Sequence, residues 1–174
     1  MQGKLIAGRW IAAGVLAMWS GLAMAAPPVT GSSTASATGS ATATVLSPIV
    51  VMHTPGAALA FGTFTVGSGG TVTVSPAGAR SATGGAALVL GSTGRADAFL
   101  VEGDPNRGFA VVTAAGTVTF GSASMAFTTL PSLTTGTLSA AGAGAFTVGG
   151  TLSVPATAAA GSYAGSYSVT VNYN

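Results

Sequence analysis

The residues best equipped for chemistry in this chain are one histidine, His53, and three acids, Asp97, Glu102 and Asp104. Serines and threonines are abundant, but a serine nucleophile needs a base, usually histidine, and a third group to orient that base. His53 stands beside Pro55, the first acid after it is Asp97, and no Gly-x-Ser-x-Gly elbow occurs. Only the fold could bring His53 to Asp97 or Asp104, and a lone histidine is expected to be an ordinary strand or surface residue. A zinc site needs three or four ligands from Cys, His and carboxylate, and one His without Cys does not make one. Calcium asks only for carboxylates and carbonyls. Asp97, Glu102, Asp104 and Asn106 lie close in sequence, and Asp104-Pro105-Asn106-Arg107-Gly108 reads as a turn. The spacing of an EF-hand is absent and Arg95 and Arg107 flank the acids. The expectation is a hairpin with loosely paired surface charges, and calcium at Asp97, Glu102 and Asp104 stays open.

Other chemistries fare worse. A glycosidase needs paired acids in an aromatic cleft, and both tryptophans, Trp10 and Trp19, lie in the N-terminal apolar segment. Gly67-Ser68-Gly69-Gly70 reads as a hairpin turn and not a phosphate loop, because a strand follows it and no lysine lies near. The reading is a protein that is not an enzyme, with no catalytic residue, no cofactor and no metal.

The elements that carry these residues come after an export signal. Lys4 and Arg9 precede an apolar run from Trp10 to Leu22, and Ala23-Met24-Ala25 supplies small residues for cleavage. This describes a secretory signal peptide over residues 1–25, cut after Ala25 or Ala26. The run is too short for a membrane span, so no span is expected after processing. Lys4 is the sole lysine, and the rest of the chain holds Arg80, Arg95 and Arg107 against the three acids. The formal charge of +2 therefore belongs to the signal. Nucleic-acid binding, which needs clustered cations, is excluded. With no lysine after processing, any polymer must be non-covalent. The chain has no cysteine, so no disulfide framework supports it. A near-neutral surface favours association.

Residues 26–44, almost wholly Ala, Ser, Thr and Gly, form a linker or an exchangeable strand. From Ala35 to Val45 small apolar residues, Gly39 among them, alternate with hydroxyls, a period of two with little area to bury. Residues 45–174 read as short strands punctuated by Gly or Pro: Ala57 to Val66, Thr71 to Val74, Ala86 to Leu90, Ala96 to Glu102, Phe109 to Thr113, Thr117 to Phe120, and onward. Gly69-Gly70, Gly84-Gly85 and Gly149-Gly150 fall in the gaps. The clearest element is the last, where Tyr163, Gly165, Tyr167, Val169, Val171 and Tyr173 share one parity. It reads as one strand with its tyrosines facing inward. Such a pattern argues for a sandwich or barrel.

Three stretches carry a family resemblance. They are Leu59-Ala60-Phe61-Gly62 with Gly69-Gly70-Thr71-Val72-Thr73-Val74, then Val101-Glu102-Gly103-Asp104-Pro105, and the tail. The tail comprises Val148-Gly149-Gly150-Thr151-Leu152, Ala160-Gly161-Ser162-Tyr163-Ala164-Gly165 and Val169-Thr170-Val171-Asn172-Tyr173. Over roughly residues 41–174 the chain resembles the secreted bacterial family known as domain of unknown function 4402. Its C-terminus is similar to spore coat protein U and to archaic chaperone–usher pilins. The resemblance implies an all-β, immunoglobulin-like antiparallel β-sandwich exported to the periplasm, cell surface or exterior. It also implies a fimbrial or coat-type subunit that takes a neighbour's N-terminal strand. The partners so implied are copies of itself or related subunits, a periplasmic chaperone and an outer-membrane usher. The candidate exchanged strand is Ala35 to Val51, although its alanines are smaller than the side chains pilin donor strands carry. The alternative is a monomeric binding module for a glycan or protein.

Overall fold

The structure is a computed structural model that describes residue 34 and residues 36–174. The signal peptide over 1–25 lies outside the described residues, as does most of the segment 26–44. The chain divides into two units, Met1–Thr42 and Ala43–Asn174. In the first, the described residues carry no strand and are exposed. No helix occurs among the described residues, so none is long and apolar enough to cross a membrane.

The second unit is all-β and antiparallel. Its strands are β1 (Val50–His53), β2 (Phe64–Val74), β3 (Arg80–Leu88), β4 (Asp97–Glu102), β5 (Gly108–Thr113) and β6 (Gly116–Phe120), followed by β7 (Ala123–Pro131), β8 (Thr135–Thr137), β9 (Ala143–Val154), β10 (Ala164–Ser166) and β11 (Val169–Tyr173). Eight of them form one sheet in the order β1-β4-β9-β7-β6-β10, with the β2–β3 hairpin joined to β9. The other three form a sheet ordered β11-β5-β8.

The long central strand β9 organises the larger sheet. Val148 pairs with Asp97 on one edge and Pro131 on the other, and Gly150 pairs with Val74 and Thr129. One edge of β9 therefore takes β4 and then β2, while β7 occupies the opposite edge. Gly149-Gly150 sits where β4 gives way to β2. A Cβ at Gly150 would lie 2.5 Å from the Thr128 carbonyl, and one at Gly149 would lie 2.6 Å from the Ser75 carbonyl carbon. These glycines let four strands converge, and they are strand interior where a turn was expected.

The same correction applies to Gly69-Gly70 and Gly84-Gly85. β2 and β3 run through both pairs as one hairpin, and the register slips between Val66 and Gly70. Gly69 and Gly84 hold φ of 86° and 69°, a backbone that residues with a Cβ rarely adopt. The glycines build a bulge that bends the hairpin instead of reversing the chain.

Two apolar clusters fill the interior. The first gathers Phe61, Val72, Val74, Met125, Phe127, Leu152 and Val154 from the larger sheet and the segment before β2. The second joins Phe99, Val101, Phe146 and Val148 of the larger sheet to Phe109, Val111 and Val171 of the smaller, with Leu138 after β8. Each such side chain contributes about 1.5–3 kcal/mol when fully buried. Strict alternation directs them inward, as in β4, where Asp97, Phe99 and Val101 are buried between more exposed neighbours.

The tail departs from expectation. The parity of Tyr163 to Tyr173 holds, but β10 pairs with β6 in the larger sheet and β11 pairs with β5 in the smaller. The chain changes sheets at Tyr167-Ser168, so one expected strand is two. Its three tyrosines are half-buried, and Gly165 is exposed. The expected exchanged strand Ala35 to Val51 is also corrected at its end, since Val50 and Val51 already pair with Glu102 and Val101 in β1. Residues 36–49 carry no strand.

Candidate functional site

Where the tail changes sheets, three polar side chains meet. His53 closes β1, Asp97 opens β4, and Tyr167 stands between β10 and β11. His53 Nε2 donates to Asp97 Oδ1 at 2.7 Å, and the Tyr167 hydroxyl donates to Asp97 Oδ2 at 2.8 Å. The amide of Ala98 also donates to Oδ1, at 2.9 Å. Asp97 is only 5 % exposed, the buried acid of the domain core. A carboxylate is costly to bury unless its oxygens are hydrogen-bonded, and here both are engaged.

Tyr167 packs against both apolar clusters. Its ring stands edge-on to Phe99 and Phe127, with centroids 6.4 and 6.0 Å away. Burial first, and then the hydrogen bond and negative charge of Asp97, push its phenol well above the ordinary tyrosine range. The hydroxyl therefore keeps its proton and donates a hydrogen bond to the carboxylate. Phe99 also lies edge-on to His53 at 5.2 Å and stacks on Phe146 at 5.3 Å.

This arrangement contains a His–Asp pair, but its order differs from that of a nucleophilic triad. A nucleophilic triad places a hydroxyl on the imidazole, which then takes its proton. The hydroxyl that this pair engages is a phenol, and it sits on the other oxygen of the carboxylate. The three side chains tie β1, β4 and the β10–β11 crossing together.

The other acids of the sequence lie elsewhere. Glu102 is at the far end of β4, roughly 16 Å from Asp97 by strand rise, and its parity puts it on the opposite face. Asp104 accepts from Arg107 Nε at 3.3 Å across the turn, where Asn106 holds a positive φ of 58°. Asp97 is thus not part of the acidic turn. Among the described residues no group of three or more His, Cys, Asp or Glu could hold a metal ion. Arg95 is exposed in an isolated bridge with Ala60. Arg80, which sequence reasoning passed over, donates to the carbonyls of Ser92 and Thr63 at 2.7 and 2.9 Å and so joins two loops.

A second polar tie involves Tyr173. Its hydroxyl receives the Asp104 amide at 2.6 Å and donates to the Ser47 carbonyl at 2.8 Å. The segment before β1 is thereby held to the last strand.

Beside the His53–Asp97–Tyr167 cluster opens a groove of about 1330 Å³. Phe61, Phe64, Phe99, Phe127, Tyr163 and Tyr167 contribute rings to its wall. The strap Ala158–Ser162 borders it, with the Tyr163 hydroxyl donating to the Ala159 carbonyl at 3.0 Å. Neither this groove nor Tyr167's role was legible beforehand. The one available signal was a tyrosine on the inward parity at the middle of the tail.

Residues 51–173 match the model of a family described as a domain of unknown function, DUF4402. The match runs from inside β1 to the end of β11 and so takes in every strand of the fold. No curated protein matches the chain, and no solved structure does. The chain belongs to the DUF4402 family.

Proposed function

We propose that this protein is an exported structural subunit of the fimbrial or coat type, without enzymatic activity, that assembles non-covalently by strand exchange. In this reading the two sheets around the second apolar cluster form an immunoglobulin-like antiparallel sandwich lacking one strand. The reading also takes the C-terminus to be similar to spore coat protein U and archaic chaperone–usher pilins, which would make a periplasmic chaperone and an outer-membrane usher its partners.

The observation that carries the proposal is the unpaired edge of β11. Among the described residues this strand pairs with β5 on one side only. β1 passes close to it but shares no ladder with it. An open edge is a template for another chain, and added strands gain main-chain hydrogen bonds plus side-chain pockets. The donor that fits is the uncharged stretch of residues 36–46, which carries no strand and in which Val45 is 93 % exposed.

The test is an unboiled denaturing gel of material sheared from the host surface and probed for this protein. A ladder of regular multiples that collapses on boiling supports assembly, and Val45→Asp should erase it. Ile49→Asp is a poorer test, because Ile49 packs against its own chain's core. A single monomer band sinks the proposal. It would leave the monomeric binding module, which the aromatic groove favours.

A further inference from the structure

The two apolar clusters are not covered alike. The second receives Phe109, Val111 and Val171 from the three-stranded sheet. The first receives nothing from that sheet, and its surroundings are the larger sheet, the segment before β2, and the tail. Leu59, Phe64, Val118 and Tyr163 pack against it while remaining partly exposed, and all four line the groove. The groove is thus the uncovered flank of a hydrophobic core.

Its lining selects by charge. Among the described residues that line it there is no lysine, arginine or glutamate. Asp97 and His53, its acid and its imidazole, are bonded to each other, and the Asp97 oxygens also accept from Ala98 and Tyr167. An ionic head-group would lose its hydration there and meet only a His53–Asp97 pair already committed to itself, at a cost of several kcal/mol. A hydrocarbon has no charge to desolvate, and the rings and aliphatic side chains gain contact with it. The strap that borders the groove is Ala158-Ala159-Ala160-Gly161-Ser162, held by the Tyr163–Ala159 and Ala158–Pro155 hydrogen bonds and in no ladder. Ala158 is anchored on the first cluster, whereas residues 159–162 are exposed and belong to no strand, so that outer part is the one that can yield to an entering ligand.

We propose that this groove binds one neutral, elongated hydrocarbon molecule, a long-chain alcohol or ester in chemical class. The groove reaches Val169 at the start of β11 and otherwise lies along the larger sheet, the segment before β2 and the tail, and binding there holds whether or not the chain assembles.

The test titrates the purified protein with N-phenylnaphthylamine, a neutral apolar fluorophore, and with anilinonaphthalene sulfonate, its anionic relative. Expected are saturable binding of one neutral probe per chain and displacement by a long-chain alcohol. The anionic probe should bind about tenfold more weakly or worse, a gap of about 1.4 kcal/mol. Ala158→Trp, which fills the groove from the strap, should weaken the neutral probe at least about tenfold with the melting temperature kept. Should that variant unfold, Ala160→Trp places the same ring on an exposed strap position. The proposal falls if no saturable binding occurs, if the anionic probe binds equally well, or if a folded strap variant binds unchanged. It falls equally if a peptide of residues 36–46 displaces the probe and the alcohol does not, since the groove would then seat a second copy's strand.

Discussion

His53 and Asp97 lie 44 positions apart in the chain, yet His53 Nε2 donates to Asp97 Oδ1 at 2.7 Å. The backbone repeats the connection, since the Thr54 amide donates to the Ala98 carbonyl at 3.0 Å. The two partners differ in burial, with side chains 49 % and 7 % exposed. That asymmetry decides which loss costs more. Asp97→Asn keeps the shape but offers one acceptor oxygen where two served three donors. It should destabilise the domain by about 1–3 kcal/mol. His53→Ala leaves the carboxylate with Ala98 and Tyr167, and half of the imidazole was already in water. Its cost should be smaller. Urea unfolding of both variants checks the ranking, and a costlier His53→Ala would refute the view that the buried acid is the centre of the tie.

Tyr167 makes the other half of that tie, and its titration gives a test by pH. Its phenol sits at 10.0 in the unfolded reference and is raised in the fold by burial and by Asp97. Below the unfolded value both states hold the proton, so this group's contribution is fully present. Above about pH 10 the unfolded chain releases the proton while the folded one retains it, and stability declines with a slope of up to about 1.4 kcal/mol per pH unit. Tyr167→Phe should remove that share of the alkaline decline. It should also cost about 1–2 kcal/mol at neutral pH, because Asp97 Oδ2 loses its donor. Denaturant midpoints measured from pH 7 to pH 11 check both. An alkaline slope unchanged in the variant would show that Tyr167 is not its source.

Glycines that look alike in sequence should behave oppositely. At Gly150 an added Cβ meets the Thr128 carbonyl at 2.5 Å and Leu59 Cδ2 at 3.0 Å. At Gly121, with φ of 58°, the same Cβ meets nothing within 4 Å. Gly121→Ala should therefore cost only the backbone strain, about 1 kcal/mol. Gly150→Ala must push back the β7 backbone at Thr128 and displace Leu59, and should cost more than about 3 kcal/mol. Thermal unfolding of the two single variants decides this, and equal costs would contradict the junction described for β9.

This contrast also marks how far the sequence could be read. Alternation exposed the inward parity of the tail, because one residue in two must face a core and its tyrosines and valines are large, although Gly165 of that parity is exposed. Composition and charge were equally legible, as was the family. Gly69-Gly70, Gly84-Gly85 and Gly149-Gly150 read as turns because glycine serves both reversal and close approach, and only the paired strand tells which. The split of the tail at Tyr167 was hidden for a related reason. Parity says which face a residue takes but not which sheet supplies its partner. The His53–Asp97–Tyr167 cluster depends on that crossing and on pairing between distant strands, so no local pattern could reveal it.

The open edge of β11 yields a variant that separates assembly from folding. Asn174 N donates to the Gly108 carbonyl, and Ala114 N donates to the Ser168 carbonyl. In an antiparallel ladder the hydrogen-bonded pairs alternate, so Ser168, Thr170, Asn172 and Asn174 direct their backbone groups toward β5. Val169, Val171 and Tyr173 direct theirs to the unpaired side. Proline at one of these outward positions removes no ladder bond within the domain, a placement edge strands tolerate. Val171 is buried, so its replacement would also damage the core, whereas Val169 is half-buried. Val169→Pro should leave the monomer folded, with a loss of about 1–2 kcal/mol from the missing side chain, and should abolish the boil-sensitive ladder. Thr170→Pro should break the β5 ladder and unfold the domain instead. Circular dichroism and the unboiled gel together distinguish the cases. A folded Val169→Pro protein that still forms the ladder would place the assembly contact somewhere other than β11.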